Sequence, residues 1–581
     1  MTKKPTKPAK VTKKSATKKA PEKKPSVAKP WLHSYPPMVN ATIGPLEHDS
    51  LGAFFENSFA KFGDSPAFTC MGKSVTYSDL LNQSSRVGAW LRSKGLKKGD
   101  RVAIMMPNIL QYPAVLTGIL RSGMTVVNVN PLYTARELEH QLKDSGAKAI
   151  FILENFAITL EKVIAKTSVE HVAVTAMGDM FGGVKGMLVN FVVRKVRKMV
   201  PKWSLPGHTP FAQVAATSGY GFASEKMDVE DIAFLQYTGG TTGVSKGAAL
   251  SHANVLSNVA QNDEWLKAIN DGDGLPTGST YICALPLYHI FALTVNLMMG
   301  MQRGALNVLI PNPRDIPGFV KELGNYQFEV FPGLNTLFNG LLNNDDFQNL
   351  DFSNLLLTLG GGMAVQQPVA DAWHKLTGNI IAEGYGLSET SPVATANRFD
   401  SDKFTGTIGL PLPSTIISIN DEKGKELPIG EVGEIYIKGP QVMKGYWQRP
   451  EETADVMTKN GFFKSGDMGF MNEAGYTKIV DRKKDMILVS GFNVYPNEIE
   501  EVAAGHVKIL EAAAIGVRDD KSSEAVKLFV VRTDDSLTEQ EVKDWCADGL
   551  TNYKRPKYIE FRDELPKTNV GKILRRELRD E

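Results

Sequence analysis

The sequence predicts an α/β protein in which a large N-terminal domain of several subdomains, its sheets covered by helices, is followed by a small C-terminal α+β domain. Three observations lead there. The 581 residues exceed what one hydrophobic core usually supports, so two or more domains are expected. Through about residue 400, helix-period segments alternate with short apolar runs, the pattern that builds parallel sheets covered by helices. After about residue 410 the texture changes to short strands with Gly-rich turns, and the string Asp481-Arg482-Lys483-Lys484-Asp485 marks off the last part of the chain, about a hundred residues. These shifts divide the chain into a leader over 1–30, an N-terminal domain over 31–482 and a C-terminal domain over 483–581.

The leader carries eleven Lys and one Glu, a local balance of +10, so a formal net charge of +2 leaves the rest of the chain at −8. It has no apolar core, which excludes a secretory signal, and its lack of Arg argues against a mitochondrial presequence. A disordered, solubilising tail is the plain expectation, with attraction to an anionic membrane surface as the alternative. The acidic remainder offers no general case for nucleic-acid binding.

From about Trp31 the folded elements begin. Asp79 to Leu96 places Leu80, Val87, Trp90 and Leu91 at helical spacing, and a Lys-Lys-Gly-Asp turn leads into the buried-strand run Val102 to Met106. Tyr112 to Leu120 and Met124 to Val129 repeat that pair, Ile232 to Leu235 is a further strand, and Gly433 to Gly439 belongs to the short-strand region. No run of 18 or more apolar residues offers a bilayer span, and no solenoid-type repeat is visible. Cys70, Cys283 and Cys546 are far apart and not spaced as metal ligands, which suits a reducing compartment.

The stretch that carries most chemistry is Tyr237 to Gly247, YTGGTTGVSKG, after the Ile232 to Leu235 strand. Its small residues (Gly239, Gly240, Gly243) let backbone approach a ligand, and consecutive amides with the hydroxyls of Thr238, Thr241 and Thr242 and the charge of Lys246 make a cradle for polyphosphate. The Walker pattern is excluded, because Gly243 lies three residues before Lys246 and no Ser or Thr follows that Lys. A ligand-free surface turn is one duller reading. Another is the serine-hydrolase elbow, since Gly243 to Gly247 formally matches GxSxG; that motif needs Ser directly off a strand, whereas Thr238 to Thr242 intervene.

This loop resembles the phosphate-binding signature of the adenylate-forming superfamily of acyl-CoA synthetases, luciferases and adenylation domains. Glu383 to Pro392, EGYGLSETSP, resembles that family's adenine loop. The resemblance implies ATP or AMP contacts by Glu383, Gly384, Tyr385, Gly386 and Ser388, with Tyr385 stacking on the base and Glu389 holding Mg²⁺ together with Thr238. Gly360-Gly361-Gly362 resembles the segment that passes AMP, and Asp467 with Arg482 the ribose-binding pair. His289, in Pro286-Leu287-Tyr288-His289, is implied at the meeting point of carboxylate, AMP and thiol, and Lys572, in PKTNVGKILR, as the catalytic lysine. Lys484 matches the family's hinge, about which the C-terminal domain is expected to move, and Ser490-Gly491-Phe492 the coenzyme A channel. Taken singly, Glu389 reads as a solvated helix cap, His289 as a core histidine, Asp467 as a turn residue, and Arg482 and Lys572 as exposed cations; their co-occurrence in this order favours the site.

The expected chemistry is carboxylate attack on the ATP α-phosphate, then thiol attack on the mixed anhydride. Two anions must meet, so positive charge and positioning matter more than acid–base groups. Mg²⁺, ATP and coenzyme A are the implied cofactor and co-substrates. Residues 460–499 and the C-terminal FRDELPKTNVGKILRREL look similar to bacterial long-chain fatty-acid–CoA ligases, which makes a fatty acid the implied substrate. About fifteen methylenes gain roughly 12 kcal/mol on leaving water, so such an acid resides in membranes.

Lys185 to Lys202, with six basic and no acidic residues and with Leu188, Val192, Val196 and Met199 at helical spacing, predicts a basic amphipathic helix. It suits the cytoplasmic face of the inner membrane, with a surface helix covering the core as the alternative. A homodimer is a further expectation. Some bacterial relatives carry a Trp gate shortly after the counterpart of His289; the matching place is near Leu293, so any gate differs. The rival readings are an aryl or medium-chain acid CoA ligase, luciferase-type oxidation, a serine hydrolase, and a non-catalytic membrane-surface protein.

Overall fold

A computed structural model describes residues 1–2, 29–238, 245–519, 522–568 and 571–580. Most of the expected leader therefore lies outside the described residues. The described chain resumes just before a 3₁₀ turn, Pro30–Ser34, whose Trp31 is 1% exposed and packs beneath Gly475, with the Ser34 hydroxyl donating to Ala474 O at 2.7 Å.

The alternating segments form two large sheets. In the first, strands Thr125–Asn128, Arg101–Met105, Ala149–Leu153, His171–Thr175 and Thr209–Pro210 run parallel, and Ile232–Thr238 joins parallel to Thr125–Asn128. The second has a parallel centre of Ile381–Gly386, Leu357–Gly361, Val330–Gly333, Thr280–Cys283, Leu306–Leu309 and Pro66–Cys70, with antiparallel strands at both edges. The helices Tyr77–Ser93 and Gln111–Arg121 fall where the apolar spacing puts them. The first opens on a Thr76–Asp79 capping box, which satisfies two of its free amides.

Two departures from expectation matter. The strand Ile232–Thr238, after which the sequence places the expected phosphate loop, pairs antiparallel with Lys246–Ser251, with Thr238 opposite Lys246. The expected loop therefore falls between two strands of a hairpin, whereas a nucleophile elbow leads from strand to helix; that removes the structural basis of the serine-hydrolase reading. The basic helix is also shorter than expected. Gly183–Phe191 is α-helical, Val192–Val196 is a π-helical turn, and the positive φ of Lys198 ends regular structure before Lys202.

A four-stranded antiparallel sheet, Ile416–Asn420, Gly433–Lys438, Phe463–Met471 and Thr477–Arg482, closes the large domain. The chain then crosses to a five-stranded sheet built from Ile487–Val489, Phe492–Val494, Ile509–Asp519, Ser523–Arg532 and Tyr558–Arg562. Each face of this small sheet has an apolar cluster of its own, separate from those of the large domain. A sheet with its own core on both faces is a domain in the physical sense.

Candidate active site

The carboxyl ends of the parallel strands, the usual place for ligands in open α/β sheets, open into a cavity of about 980 Å³. Tyr237, Thr238, Ser245 and Lys246 enter from the hairpin, Gly360 to Gly362 from the end of Leu357–Gly361, and Gly384 to Glu389 from the end of Ile381–Gly386. Asp467 and Arg482, directly opposed on neighbouring strands, form another wall, and Lys484 and Lys572 come from the junction and the small domain. Gly239, Gly240, Thr241, Thr242 and Gly243 lie outside the described residues.

Tight backbone packing shapes the turn after Ile381–Gly386. A Cβ on Gly386 would stand 1.8 Å from Pro392 O, so no side chain fits there. Glu389 follows in the short turn Ser388–Thr390. It is 7% exposed, its carboxylate accepts from the Tyr446 hydroxyl at 2.7 Å, and burial raises its carboxyl above the usual glutamate range. A buried carboxylate with one neutral donor, facing the same cavity as the Thr238 hydroxyl, offers hard oxygens suited to Mg²⁺. Among the described residues no group of three His, Cys, Asp or Glu side chains gathers as a metal site.

The Tyr385 hydroxyl donates to Asp467 Oδ2 at 2.6 Å, and Arg482 Nε stands 3.4 Å from Asp467 Oδ1. Asp467 thus holds Tyr385 and Arg482 together. Glu383 does not reach the wall. It is buried behind the strand, accepts from Val365 N at 2.9 Å, and is pushed up to about 8 by that burial.

Lys572 spans the two domains. Its turn docks on Leu334 to Thr336, with the Thr336 hydroxyl donating to Gly571 O at 3.4 Å, and its Cε comes within 3.6 Å of where a Cβ on Gly362 would lie. Burial, with Arg482 nearby, lowers its ammonium to about 8. His289 is fixed from the other sheet, because Gln236 Nε2 donates to Tyr288 O at 2.8 Å and the Tyr112 hydroxyl to Leu287 O at 2.9 Å. Its Nδ1 accepts from Phe291 N at 3.3 Å, and burial together with Lys572 lowers it to about 3, so the imidazole is neutral.

Lys484, expected as a hinge, also faces the cavity, and burial followed by Arg482 lowers it to about 8. Ser490, Gly491 and Phe492 do not face it. They form the exposed tip of the Ile487–Val489 and Phe492–Val494 hairpin, where the Phe492 ring stacks on Tyr553 at 4.7 Å. Leu293 is fully buried and does not line the cavity either.

Among the wall residues that escaped sequence reasoning, three are polar side chains tied to the site. His140 Nε2 donates to Ser245 O at 2.9 Å, Tyr446 carries Glu389 and sits 5.2 Å from the Lys246 ammonium, and Arg449 pairs with Asp144, which also accepts from the Tyr237 hydroxyl. The available signal was Tyr446-Trp447-Gln448-Arg449-Pro450, an aromatic turn with Gln448 at positive φ ahead of a Pro-initiated helix.

A family model described as AMP-binding enzyme matches residues 55–447, and one described as AMP-binding enzyme C-terminal domain matches 498–572. A long-chain-fatty-acid–CoA ligase of Escherichia coli O6:H1 is 55% identical over 557 residues, 95% of this chain and 98% of the relative. One of Bacillus subtilis (strain 168) is 38% identical over 95% of this chain and 98% of the relative. Among solved structures, ATP-bound MatB from Rhodopseudomonas palustris superposes with a TM-score of 0.78 at 28% identity, covering 91% of this chain and 98% of that one. The two models match in series across the two domains that meet at the cavity, and the likeness runs nearly end to end: the chain belongs to the AMP-binding enzyme family.

Proposed function

We propose that the protein is an ATP-dependent ligase that activates a long-chain fatty acid as acyl-AMP and transfers it to coenzyme A, releasing AMP and pyrophosphate. One observation carries this reading. A single cavity gathers Thr238 and Lys246 of the hairpin, Glu389, the Asp467–Arg482 pair and a lysine from the other domain, and its walls also include the apolar Phe291, Val295, Leu359 and Phe399. The near-full-length likeness to ligases named for long-chain fatty acids supports the choice of acid.

In this reading, the hairpin residues and Lys246 take the polyphosphate, Gly360 to Gly362 and Gly384 to Ser388 enclose the nucleoside, and Asp467 accepts from the ribose hydroxyls beside Arg482. Glu389 and Thr238 would hold Mg²⁺, which supplies charge neutralisation at the phosphates. Lys572, over the glycine segment, stabilises the charge that grows as the carboxylate oxygen bonds to the α-phosphorus and pyrophosphate departs. His289, neutral, borders the reacting carboxylate without adding charge.

The thiol must then attack the carbonyl carbon and expel AMP, and a lysine parked over the phosphate obstructs it. The small domain, from residue 483 on, therefore swings about Lys484 to withdraw Lys572 and present Ser490, Gly491 and Phe492 to the pantetheine.

The helix Gly183–Phe191 supports a peripheral site on the cytoplasmic face of the membrane. Its only buried residue is Gly186, packed against Gly178, while Val184, Met187, Leu188 and Phe191 are exposed beside Arg194, Lys195, Arg197 and Lys198. Light scattering tests the homodimer. Pyrophosphate release across an acid panel, with and without coenzyme A, tests the ligase. Thioester formation with C12 to C18 acids is expected; turnover confined to cinnamates or hexanoate would sink the long-chain assignment in favour of an aryl or medium-chain ligase.

A further inference from the structure

Three polar side chains of the helix Ala135–Ser145 are bonded around the hairpin, and nothing in the mechanism above uses them. Gln141 Nε2 donates to Asn128 O at 2.7 Å, and Asn128 Nδ2 in turn to Gln236 Oε1 at 3.1 Å, which seats the helix on the neighbouring strands. His140 Nε2 donates to Ser245 O at 2.9 Å, and Asp144 Oδ2 accepts from the Tyr237 hydroxyl at 2.7 Å. His140 and Asp144 are four residues apart and so share one helix face. Tyr237 and Ser245 flank the expected phosphate loop, one on each side.

Arg449 closes the ring. Asp144 Oδ1 pairs with Arg449 Nη2, and the turn that carries Arg449 follows Gly445–Tyr446, which pairs with Ala248 and Ala249 on the second hairpin strand. Trp447 N adds a bond to Gly247 O at 2.8 Å. Helix, hairpin and turn are thereby joined pairwise. His140, Tyr237, Ser245, Lys246 and Arg449 all line the cavity, whereas Asp144, its side chain 8% exposed, stands behind them. A buried carboxylate beside a wall that takes polyphosphate is costly unless both oxygens are committed. One holds the Tyr237 hydroxyl, which burial and this bond keep protonated, and the other fixes a guanidinium. That guanidinium lies on the Lys246 side, since the Lys246 ammonium stands 5.2 Å from the ring of Tyr446, three residues before Arg449.

We propose that this helix positions the polyphosphate of ATP: His140 and Asp144 hold the residues on either side of the phosphate loop, and Arg449, aimed by Asp144, contacts the β- and γ-phosphates that leave as pyrophosphate. The inference rests on the ligase reading above and adds residues to it. His140 and Asp144 are positioning residues, acting through Ser245, Tyr237 and Arg449. Their effect is selective, because acyl-AMP has no β- or γ-phosphate. It shows in adenylation and not in thioester formation.

ATP–pyrophosphate exchange with the acid the parent turns over best, beside thioester formation from supplied acyl-AMP and coenzyme A, tests this. Asp144→Asn and Arg449→Gln should each raise the KM for ATP and for pyrophosphate about tenfold, the worth of a charge-assisted bond, and the double variant should add little to either. Thioester formation should stay within about twofold of the parent, which also certifies the fold. His140→Leu should raise the same KM values, and His140→Gln, which keeps an N–H donor, should restore them. Parental KM values in Arg449→Gln overturn the phosphate contact. Equal slowing of both half-reactions in Asp144→Asn, or no difference between His140→Leu and His140→Gln, reduces the helix to a structural support and overturns its positioning role. Where Asp144→Asn does not fold, Arg449→Gln and the His140 pair decide by the same measurements. A parent that exchanges no pyrophosphate with any acid overturns the ligase reading instead, so the two failures are distinguishable.

Discussion

Lys572 shows how one residue's environment becomes a measurable property. Burial and the Arg482 guanidinium disfavour its charged form and bring it to about 8, so it turns neutral as pH rises through that value. The chemistry assigned to it needs the ammonium. The kcat/KM of adenylation, which reports the free enzyme, should therefore fall about tenfold per pH unit above about 8. Lys572→Arg keeps its charge and should give a lower rate whose alkaline limb is displaced beyond about pH 10. A pH profile of ATP–pyrophosphate exchange reads both.

Glu383 makes a separate case. Its carboxyl is raised from an ordinary 4.5 to about 8, so it contributes stability below about 4.5 that is lost as pH rises toward about 8, where the folded state finally ionises. Glu383→Gln should remove that slope while keeping activity, since the side chain faces Val365 N and not the cavity. Urea midpoints at about pH 5 and pH 8 decide it. Local motif spelling could name Glu383 but could not say which way it points, because that depends on how the next strand packs. Arg449 was hidden for the same reason: its partner Asp144 is 305 residues away.

At the scale of elements, local pattern was a good guide where periodicity and chain breaks agree. The Leu80, Val87, Trp90, Leu91 stripe lies on a helix that ends at Ser93, because Gly95 adopts a positive φ. Lys246–Ser251 was missed as a strand: KGAALS has small residues in place of an alternating stripe, and only its hairpin pairing with Ile232–Thr238 makes it one. The basic segment was legible as amphipathic but not in extent, since the positive φ of Lys198 ends it early.

The consequence for that segment is testable. Val184 is 76% exposed, Met187 67% and Phe191 57%, while Lys185 Nζ donates to Met71 O at 2.8 Å and Arg194 pairs with Glu154 at 2.9 Å. These ties pin the helix with its apolar face outward. Met187→Glu combined with Phe191→Glu should lower co-sedimentation with anionic vesicles by about tenfold or more, from the lost apolar burial and the added like charge. Turnover of a water-soluble medium-chain acid should stay unchanged. Equal vesicle binding by the double variant would assign the helix a role in covering the core.

Over the whole molecule, the arrangement with Lys572 in the cavity is held by bonds that cross the junction at residues 483–486. Asp481, before the junction and 1% exposed, accepts from Asn497 N at 2.9 Å and pairs with Arg575 Nη1 at 3.1 Å, both after it. Arg575 also pairs with Glu500 at 2.7 Å inside the small domain, and Arg579 with Asp485 at 2.9 Å, so those pairs would travel with the domain in the proposed swing. The proposed rotation about Lys484 would break the bonds to Asp481 and leave the others whole. The polar contacts farther from the junction, from Thr336 to Gly571 O and from Asn339 to Leu510 O, are each 3.4 Å long and therefore weak.

Asp481 is then the anchor of the adenylating arrangement. Asp481→Asn keeps an acceptor for Asn497 N but gives up the charge that faces Arg575, a charge-assisted bond whose loss is worth about tenfold in an equilibrium. The expected outcome is a drop of that size in ATP–pyrophosphate exchange. The rate at which supplied acyl-AMP and coenzyme A form thioester should change little or rise, because that step needs the bonds broken. A variant slowed equally in both half-reactions would place Asp481 in the general stability of the junction, and the domain swing would then need a different anchor.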